Sequence, residues 1–195
     1  GSGNGTVNSV TFNNTGGTLA SDTGTLNISS GGNHSGALTI TGTNVRLTGG
    51  THSFADGTTI AGQLNVAGGT ASFGTVAANG LVNYTGGGFN VTAGDTLTLN
   101  NGMNWATTSA ISGPGAITLP LGQTLALTVG GDHQLSNVTV NNSGLMTTAI
   151  GGGQVLLNDG TVINNAGVFR FLNGDVISRN SGAGTFNNIG EIELG

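Results

Sequence analysis

The stretch Leu64-Asn65-Val66-Ala67-Gly68-Gly69 decides the fold, because the same short phrase returns along the chain. In each copy, two apolar residues two positions apart are soon followed by a Gly-Gly pair. Copies begin at Leu26, Val45, Leu64 and Val82, so the steps in residue number are 19, 19 and 18, and a later copy begins at Leu127. An interval of this size is typical of one turn of a solenoid.

A second phrase, Asn-Asn-x-Gly, occupies the C-terminal third of the chain. Its copies begin at Asn141, Asn164 and Asn187, at two equal steps that are somewhat longer than those of the first phrase. Near the N-terminus, Thr11-Phe12-Asn13-Asn14-Thr15-Gly16 matches Thr185-Phe186-Asn187-Asn188-Ile189-Gly190 in all but one residue. The first and last parts of the chain therefore carry the same local pattern.

Apolar and polar residues alternate between these phrases, as in Ala37-Leu38-Thr39-Ile40-Thr41. A period of two places Leu, Ile and Val on one side of a strand and Thr or Asn on the other. Gly, Asn and Asp cluster between the runs, where tight corners need residues that tolerate positive φ. Pro114 and Pro120 flank a stretch that we expect to bulge out of the regular structure.

We therefore predict an all-β chain, a single-stranded parallel β-helix (β-solenoid) with about nine turns of roughly 18–23 residues. The prediction treats residues 1–195 as one continuous solenoid, either complete or a segment of a longer repeat protein. In such a coil the inward residues of one turn stack on those of the next, and backbone hydrogen bonds run along the axis.

Composition excludes several classes of function. The chain has a net charge of −5, no Lys and only three Arg, so it cannot form the basic stripe that nucleic-acid phosphates require. No apolar run approaches the roughly 20 residues that span a bilayer, so we expect no membrane insertion. The absence of Cys does not indicate a compartment, because a long solenoid core needs no disulfide bonds.

The acidic residues are more typical of turns than of catalysis. All six Asp lie next to Gly or one residue away from it, at Asp22, Asp56, Asp95, Asp132, Asp159 and Asp175. The alternative is a carboxylate cluster, as in pectin-cleaving β-helix enzymes, but the sequence ensures no pair within the about 5–10 Å that glycosidic cleavage needs. Glu191 and Glu193 would share one side of the last strand. We predict no catalytic residues and no enzymatic activity.

His34, His52 and His133 are the candidate metal ligands. The separation of His34 and His52 in sequence is close to one turn, so their rings could stack. Two His without a carboxylate or Cys partner make a weak metal site, and we expect exposed corner histidines instead. The Ca²⁺-binding repeat Gly-Gly-x-Gly-x-Asp has no copy in the chain. The sequence therefore predicts no metal site, no cofactor-binding residues and no cofactor.

Three other side chains are candidates for contact with a ligand. Tyr84 occupies an inward position of the Gly-Gly phrase and is predicted to lie in the core. Trp105 follows a polar stretch and is the better candidate for an exposed contact. Arg170 is predicted to be a surface charge, with a glycan contact as the alternative.

The phrases Gly-x-Leu-x-Val-x-Gly-Gly-Thr, at Gly62 to Thr70, and Gly-Thr-Phe-Asn-Asn-x-Gly, at Gly184 to Gly190, resemble those of large secreted bacterial surface proteins. These include autotransporter passenger domains and filamentous-haemagglutinin-like adhesins. The resemblance covers nearly the whole chain and lies in composition and period. It implies a right-handed parallel β-helix with a role in adhesion, self-association or display.

We accordingly predict a non-enzymatic structural and adhesive β-solenoid, extracellular or on the bacterial cell surface. Its partners would be a copy of itself, bound laterally or end to end, or a cell-surface glycan. One alternative is a subunit of an extracellular filament built by head-to-tail stacking, since an open β-helix end carries unpaired backbone groups. Further alternatives are a polysaccharide lyase or hydrolase and an ice-binding protein, which needs Thr-x-Thr rows such as Thr39-Ile40-Thr41 and Thr96-Leu97-Thr98 at every turn.

Overall fold

The chain is a β-solenoid of about nine turns, which confirms the predicted fold class. The computed structural model describes residues 3–195, so the first two residues of the predicted solenoid lie outside the described residues. The described residues form 26 strands and no helix. Each strand pairs in parallel with the equivalent strand of the next turn, so the backbone hydrogen bonds run along the axis of the coil.

Each turn contributes one strand to each of three faces. Face 1 contains Gly5–Val7, Leu26–Ile28, Val45–Leu47, Met103–Trp105, Thr124–Leu127, Leu145–Thr148, Val168–Phe171 and Glu191–Leu194. Face 2 contains Asn14–Thr15, Gly32–Ser35, Thr51–Phe54, Ile111–Ser112, His133–Ser136, Gln154–Asn158 and Val176–Ser178. Face 3 contains Thr18–Ala20, Ala37–Thr41, Thr58–Ala61, Val76–Ala78, Thr96–Leu99, Ala116–Leu119, Thr139–Asn142, Val162–Asn165 and Thr185–Asn188. Two longer strands, Leu64–Phe73 and Val82–Val91, continue from face 1 into face 2 without a break.

The turns differ in length, as the repeat steps predict. One turn runs from Leu64 to its partner Val82, and a longer one runs from Val168 to its partner Glu191. The shorter turn contains the strand Leu64–Phe73, which continues from face 1 into face 2. This turn therefore needs no residues for a separate corner between those two faces. Longer turns place their extra residues at the corners and leave the stacked strands intact.

The inward residues form apolar columns that continue from turn to turn. On face 3, Leu97, Ile117 and Val140 are paired in register and all three are buried. Each turn shields the apolar side chains of its neighbours from water, at about 25 cal/mol per Å² of apolar surface removed. Stability therefore accumulates along the coil, as in other repeat architectures.

The corners bring the backbones of successive turns into close contact, and Gly62 shows the consequence. Its φ is +86°, and a Cβ added there would lie 1.8 Å from the carbonyl oxygen of Ile40 in the preceding turn. Any larger residue would strain its own backbone and push two turns apart. The abundance of Gly is therefore a requirement of the corners.

Two sequence predictions about regularity are wrong. Strand Ala116–Leu119 lies between Pro114 and Pro120 and pairs with strands on both sides, so this stretch does not bulge out. The prolines lie just outside the strand, where a missing N–H does not interrupt the ladder. The copy of the Gly-Gly phrase assigned to Leu127 is two residues out of register, because Leu125 continues the column of Met103.

Candidate functional site

The candidate binding surface is a column of outward polar side chains, which we call the face 3 row: Thr98, Thr118, Asn141, Asn164 and Asn187. Strand pairing places each of these residues directly against the next one in the row. Neighbouring strands lie about 4.8 Å apart, so the row offers hydrogen-bonding groups at a regular interval along the coil. All five side chains are at least partly exposed.

The three Asn of this row are hydrogen-bonded to each other. Asn164 Nδ2 donates to Asn141 Oδ1 at 2.9 Å, and Asn187 Nδ2 donates to Asn164 Oδ1 at 2.9 Å. A side-chain amide has two N–H donors and two acceptor positions, so each Asn keeps capacity for an external partner. The bonds within the row fix the orientation of the amides, which lowers the entropic cost of binding.

A second Asn column, which we call the inner ladder, faces the core and contains Asn142, Asn165 and Asn188. Asn142 Nδ2 donates to Asn165 Oδ1 at 2.6 Å, and Asn165 Nδ2 donates to Asn188 Oδ1 at 2.7 Å. Asn142 and Asn165 are buried and continue a column that Leu119 occupies one turn earlier. Their amide nitrogens also contact backbone carbonyls beyond the next corner, at 2.9 and 3.1 Å. The inner ladder therefore ties strands Thr139–Asn142 and Val162–Asn165 of face 3 to the corner of the following turn.

Sequence reasoning found the Asn-Asn-x-Gly phrase but missed the different roles of its two Asn residues. Strand alternation contained the signal, because Val140, Ile163 and Phe186 point inward two residues before Asn142, Asn165 and Asn188. Adjacent Asn must therefore point to opposite sides, one to solvent and one to the core.

The prediction that Trp105 makes an exposed contact is wrong, whereas the prediction that Tyr84 lies in the core is confirmed. Both side chains are 0% exposed, and their ring centroids lie 6.3 Å apart. Trp105 Nε1 donates to Ser109 O at 3.2 Å, and the Tyr84 hydroxyl lies 2.7 Å from Gly87 O. Each polar tip thus has a partner, and burial raises the pKa of Tyr84 to about 12. Trp105 lies at an inward strand position, although polar residues precede it in sequence.

The prediction of exposed corner histidines is also wrong, because His34, His52 and His133 are all buried. Each residue follows a corner but occupies an inward position of a face 2 strand. His34 pairs in register with Phe54, and their ring centroids lie 4.8 Å apart. His133 packs edge-on against Trp105 at 4.9 Å. The His rings therefore take part in the aromatic stack of the core.

His34 and His52 stack, as their spacing allows, with ring centroids 5.3 Å apart. His52 Nε2 lies 3.1 Å from Gly49 O, so this nitrogen carries a hydrogen. His52 Nδ1 then accepts from His34 Nε2 at 3.0 Å, an arrangement that two neutral rings can make. Burial, together with the neighbouring His52, lowers the pKa of His34 to about 4, and burial lowers the pKa of His52.

We expect this His pair to make the protein less stable as the pH falls from 6.5 to about 4. In the unfolded chain each His binds a proton near pH 6.5, whereas the folded rings with a lowered pKa stay neutral. The unfolded state therefore takes up more protons, and the free energy of unfolding decreases with acidity over this range. Thermal unfolding followed by circular dichroism across the range measures the effect.

The matched control for this prediction is His34→Phe, which extends the column of Phe54. The acid-induced decrease in the melting temperature should become smaller, while His52 and His133 keep part of it, because burial also lowers their pKa. Asp95 responds only at lower pH, since hydrogen bonds from Thr92 and Thr75 keep its pKa below the ordinary value for Asp. An unchanged pH dependence in the variant would contradict the assigned role of His34.

The six Asp lie between strands, as the turn interpretation predicts. Asp175 shows the role most clearly, because its carboxylate accepts from the backbone nitrogens of Ile150 at 2.9 Å and Gly152 at 2.8 Å. Such bonds hold a corner of one turn against the next. Turn formation thus accounts for its buried carboxylate.

Two Asp that are far apart in sequence meet at one residue. Asp56 accepts from Thr75 N at 2.9 Å, and Asp95 accepts from Thr75 Oγ1 at 2.9 Å. The three residues come from successive turns at the corner between faces 2 and 3, which the sequence spacing alone did not reveal. Arg46 and Arg170 lie on face 1, away from this corner.

Arg170 lies on the outside of face 1, as predicted, and forms an ion pair with Glu193 of the next turn. Its side chain is 40% exposed, so water screens the ion pair and the pair contributes little to stability. Glu191 and Glu193 lie on the same side of their strand, as predicted.

Within residues 3–195 there is no helix long and apolar enough to cross a membrane. In the same part of the chain, no three His, Cys, Asp or Glu side chains are grouped so that they could hold a metal ion.

Comparison with known proteins identified no relative: no family model, no curated protein and no solved structure matches this chain.

Proposed function

We propose that this chain is a structural and adhesive segment of a secreted bacterial surface protein, located outside the cell. As a rod, it would hold a binding surface away from its attachment point, and the face 3 row would contact a glycan. The observation that carries the proposal is the row itself, with aligned Thr and Asn side chains over five consecutive turns. The continuous buried core supports the mechanical part of the role.

The chemistry of the row suits the hydroxyl groups of a sugar. Thr hydroxyls and Asn amides both donate and accept hydrogen bonds, as sugar hydroxyls do. The repeat of about 4.8 Å along the row would allow an extended polysaccharide to contact several turns at once. Each bond contributes little, so affinity would come from the number of aligned contacts.

The charge of the chain favours a neutral glycan. A net charge of −5 with only three Arg repels an acidic polysaccharide and provides few cations to pair with it. The face 3 row itself contains no charged side chain. We therefore expect binding to neutral polysaccharides and not to uronate-rich ones.

A four-residue variant tests this proposal: Thr98→Ala, Thr118→Ala, Asn141→Ala and Asn164→Ala in one chain. We expect the affinity for an immobilised neutral polysaccharide to fall about tenfold or more, because several hydrogen bonds of about 1 kcal/mol are lost together. A glycan array first identifies the ligand, and biolayer interferometry then measures the affinity. Circular dichroism verifies that the variant retains its fold.

The matched control replaces outward residues of face 2 instead, Ser53→Ala, Ser112→Ala and Ser136→Ala. This variant should bind like the original chain. Equal losses in the two variants, or no binding of the original chain to any neutral glycan, would contradict the proposal.

A second candidate function is assembly into an extracellular filament by end-to-end stacking. The stretches Thr11 to Gly16 and Thr185 to Gly190 favour it, because they differ at only one residue and could therefore stack in register. Sedimentation velocity and electron microscopy distinguish assembled rods from single ones.

A third candidate is polysaccharide cleavage, which the Asp56–Thr75–Asp95 contact favours because two carboxylates there share a hydrogen-bonding partner. An activity screen on uronates and neutral glycans, with Asp95→Asn as the control, tests that alternative.

A further inference from the structure

Face 1 carries an outward polar column of its own, which we call the face 1 row: Asn27, Arg46, Asn65, Asn83 and Asn104. Strand pairing places each of these residues directly against the next one. Strand Gly5–Val7 stacks on one side of the row and strand Thr124–Leu127 stacks on the other. Every residue of the row therefore has a neighbouring turn on both sides.

Arg46 brings a positive charge to this row that no acidic side chain of the described residues pairs with. Its guanidinium forms no ion pair and no hydrogen bond within residues 3–195, whereas Arg170 on the same face pairs with Glu193. Arg46 is exposed, and none of the described face 1 strands before Glu191 contains Asp or Glu. Five N–H donors in a fixed planar arrangement are therefore available to an anion from solvent.

Asn65 holds the neighbouring amides of this row in place. Its Nδ2 donates to Val45 O at 2.7 Å and to Thr43 O at 3.0 Å, which fixes the orientation of its amide. Its Oδ1 accepts from Gln63 Nε2 at 2.7 Å and from Asn83 Nδ2 at 3.0 Å. Only 7% of Asn65 is exposed, so it serves as an internal anchor. Gln63 and Asn83 each keep an amide oxygen that no described residue uses, and this oxygen can accept from a ligand.

We propose that Arg46 and the amides around it bind a glycan that ends in a single carboxylate-bearing sugar. The planar guanidinium makes two parallel N–H···O bonds to a carboxylate, and such bonds are stronger than those between neutral groups. Asn27, whose side chain has no partner among the described residues, and the amides of Gln63 and Asn83 meet the hydroxyls around that carboxylate. Asn27 and Asn83 lie three strand spacings apart, about 14 Å, so the site suits the end of a glycan and not a long chain.

This site is separate from the face 3 row, and it does not rest on the proposal of neutral-glycan binding there. A single terminal carboxylate is attracted by Arg46, whereas a uronate-rich chain carries a charge on every sugar and is repelled by the net charge of −5. A phosphate monoester carries more negative charge than a carboxylate and is disfavoured for the same reason. The charge of the chain therefore favours one carboxylate at the end of an otherwise neutral glycan.

Immobilised oligosaccharides of known charge test this assignment. Sialyllactose and glucuronosyl-glucose are the probes that end in a carboxylate, and lactose and cellobiose are their uncharged counterparts. Sulfated cellobiose is the third anionic probe. In biolayer interferometry we expect the chain to bind a carboxylate probe more tightly than its uncharged counterpart. This binding should weaken as the salt concentration rises, because salt screens the charge of an exposed guanidinium.

Arg46→Gln should weaken binding of the carboxylate probe at least about tenfold, because it removes a charged hydrogen-bonding pair. Arg46→Lys should bind with intermediate affinity, since Lys keeps the charge but loses the planar arrangement of donors. Arg179→Gln is the matched control: Arg179 is also exposed, and its substitution changes the net charge equally, but it lies outside the face 1 row. This variant should bind like the original chain. Circular dichroism verifies that all three variants retain their fold.

No binding to either carboxylate probe, or equal losses in Arg46→Gln and Arg179→Gln, would overturn the proposed site. Tighter binding of sulfated cellobiose than of both carboxylate probes would overturn the assignment of the anion. The neutral-glycan proposal stands or fails separately. Arg46→Gln should leave binding of the neutral polysaccharide unchanged, and the four-residue variant of the face 3 row should still bind the carboxylate probe.

Discussion

Trp105→Ala should reduce the free energy of unfolding by about 3–5 kcal/mol, a typical loss when a large buried aromatic side chain is truncated. Trp105 is 0% exposed and lies between Tyr84 of the preceding turn and Leu127 of the following one. Its removal leaves a cavity in the middle of the coil, and neighbouring turns cannot close it without breaking their backbone ladder. Urea unfolding followed by circular dichroism measures the change.

Leu121→Ala provides the control for this prediction. Leu121 is 85% exposed, so its truncation should change the free energy of unfolding by no more than about 0.5 kcal/mol. A small effect of Trp105→Ala, equal to that of Leu121→Ala, would show that Trp105 does not lie in the core.

Asn165→Ala should destabilise the protein by about 2–4 kcal/mol, because it removes the hydrogen bonds at the centre of the inner ladder and takes one acceptor from the buried amide of Asn142. Asn165 Oδ1 accepts from Asn142, and its amide nitrogen donates to Asn188 Oδ1 and to Glu191 O. The lost bonds join three successive turns. Urea unfolding again provides the measurement.

The neighbouring residue in the same phrase offers the matched control. Asn164 makes similar bonds but lies on the partly exposed face 3 row, where water can replace the lost partner. Asn164→Ala should therefore cost about 1 kcal/mol or less. If the two substitutions had the same effect, the distinction between an inner and an outer column would be incorrect.

The solenoid could be predicted from the sequence because the repeat interval of its phrases corresponds to the length of one turn. The copies beginning at Leu26, Val45, Leu64 and Val82 lie in register on face 1, as their spacing predicts. The Asn-Asn-x-Gly copies lie in register on face 3. A regular period is enough to predict which strands stack, since each strand pairs only with its equivalents one turn away.

The sequence did not predict the inward or outward side of residues near the corners. Trp105, His34, His52 and His133 follow polar or Gly-rich stretches, which suggested exposure, yet all four are buried. In a solenoid, a residue just past a corner already occupies a strand position, so its side is set by the alternation of that strand and not by its polar neighbours.

The sequence could not predict that Asp56 and Asp95 share a partner, and the reason is a different one. These residues meet through Thr75, which belongs to the intervening turn. Their approach depends on the lengths of two successive turns and on the path of each corner. A drifting repeat does not define those paths to within a residue.

The register between turns provides the most direct test of the three-faced coil. Asn104 and Ala126 are paired neighbours on the outside of face 1. The double variant Asn104→Cys/Ala126→Cys should form an intramolecular disulfide under mild oxidation, because the Cα atoms of such neighbours lie about 4.8 Å apart. Asn104→Cys/Thr124→Cys, displaced by two residues along the same strand, should remain largely reduced, since diagonal neighbours lie about 7–8 Å apart. We expect mass spectrometry to find the disulfide in the first variant alone. A disulfide in the second variant alone would contradict the register and the coil built on it.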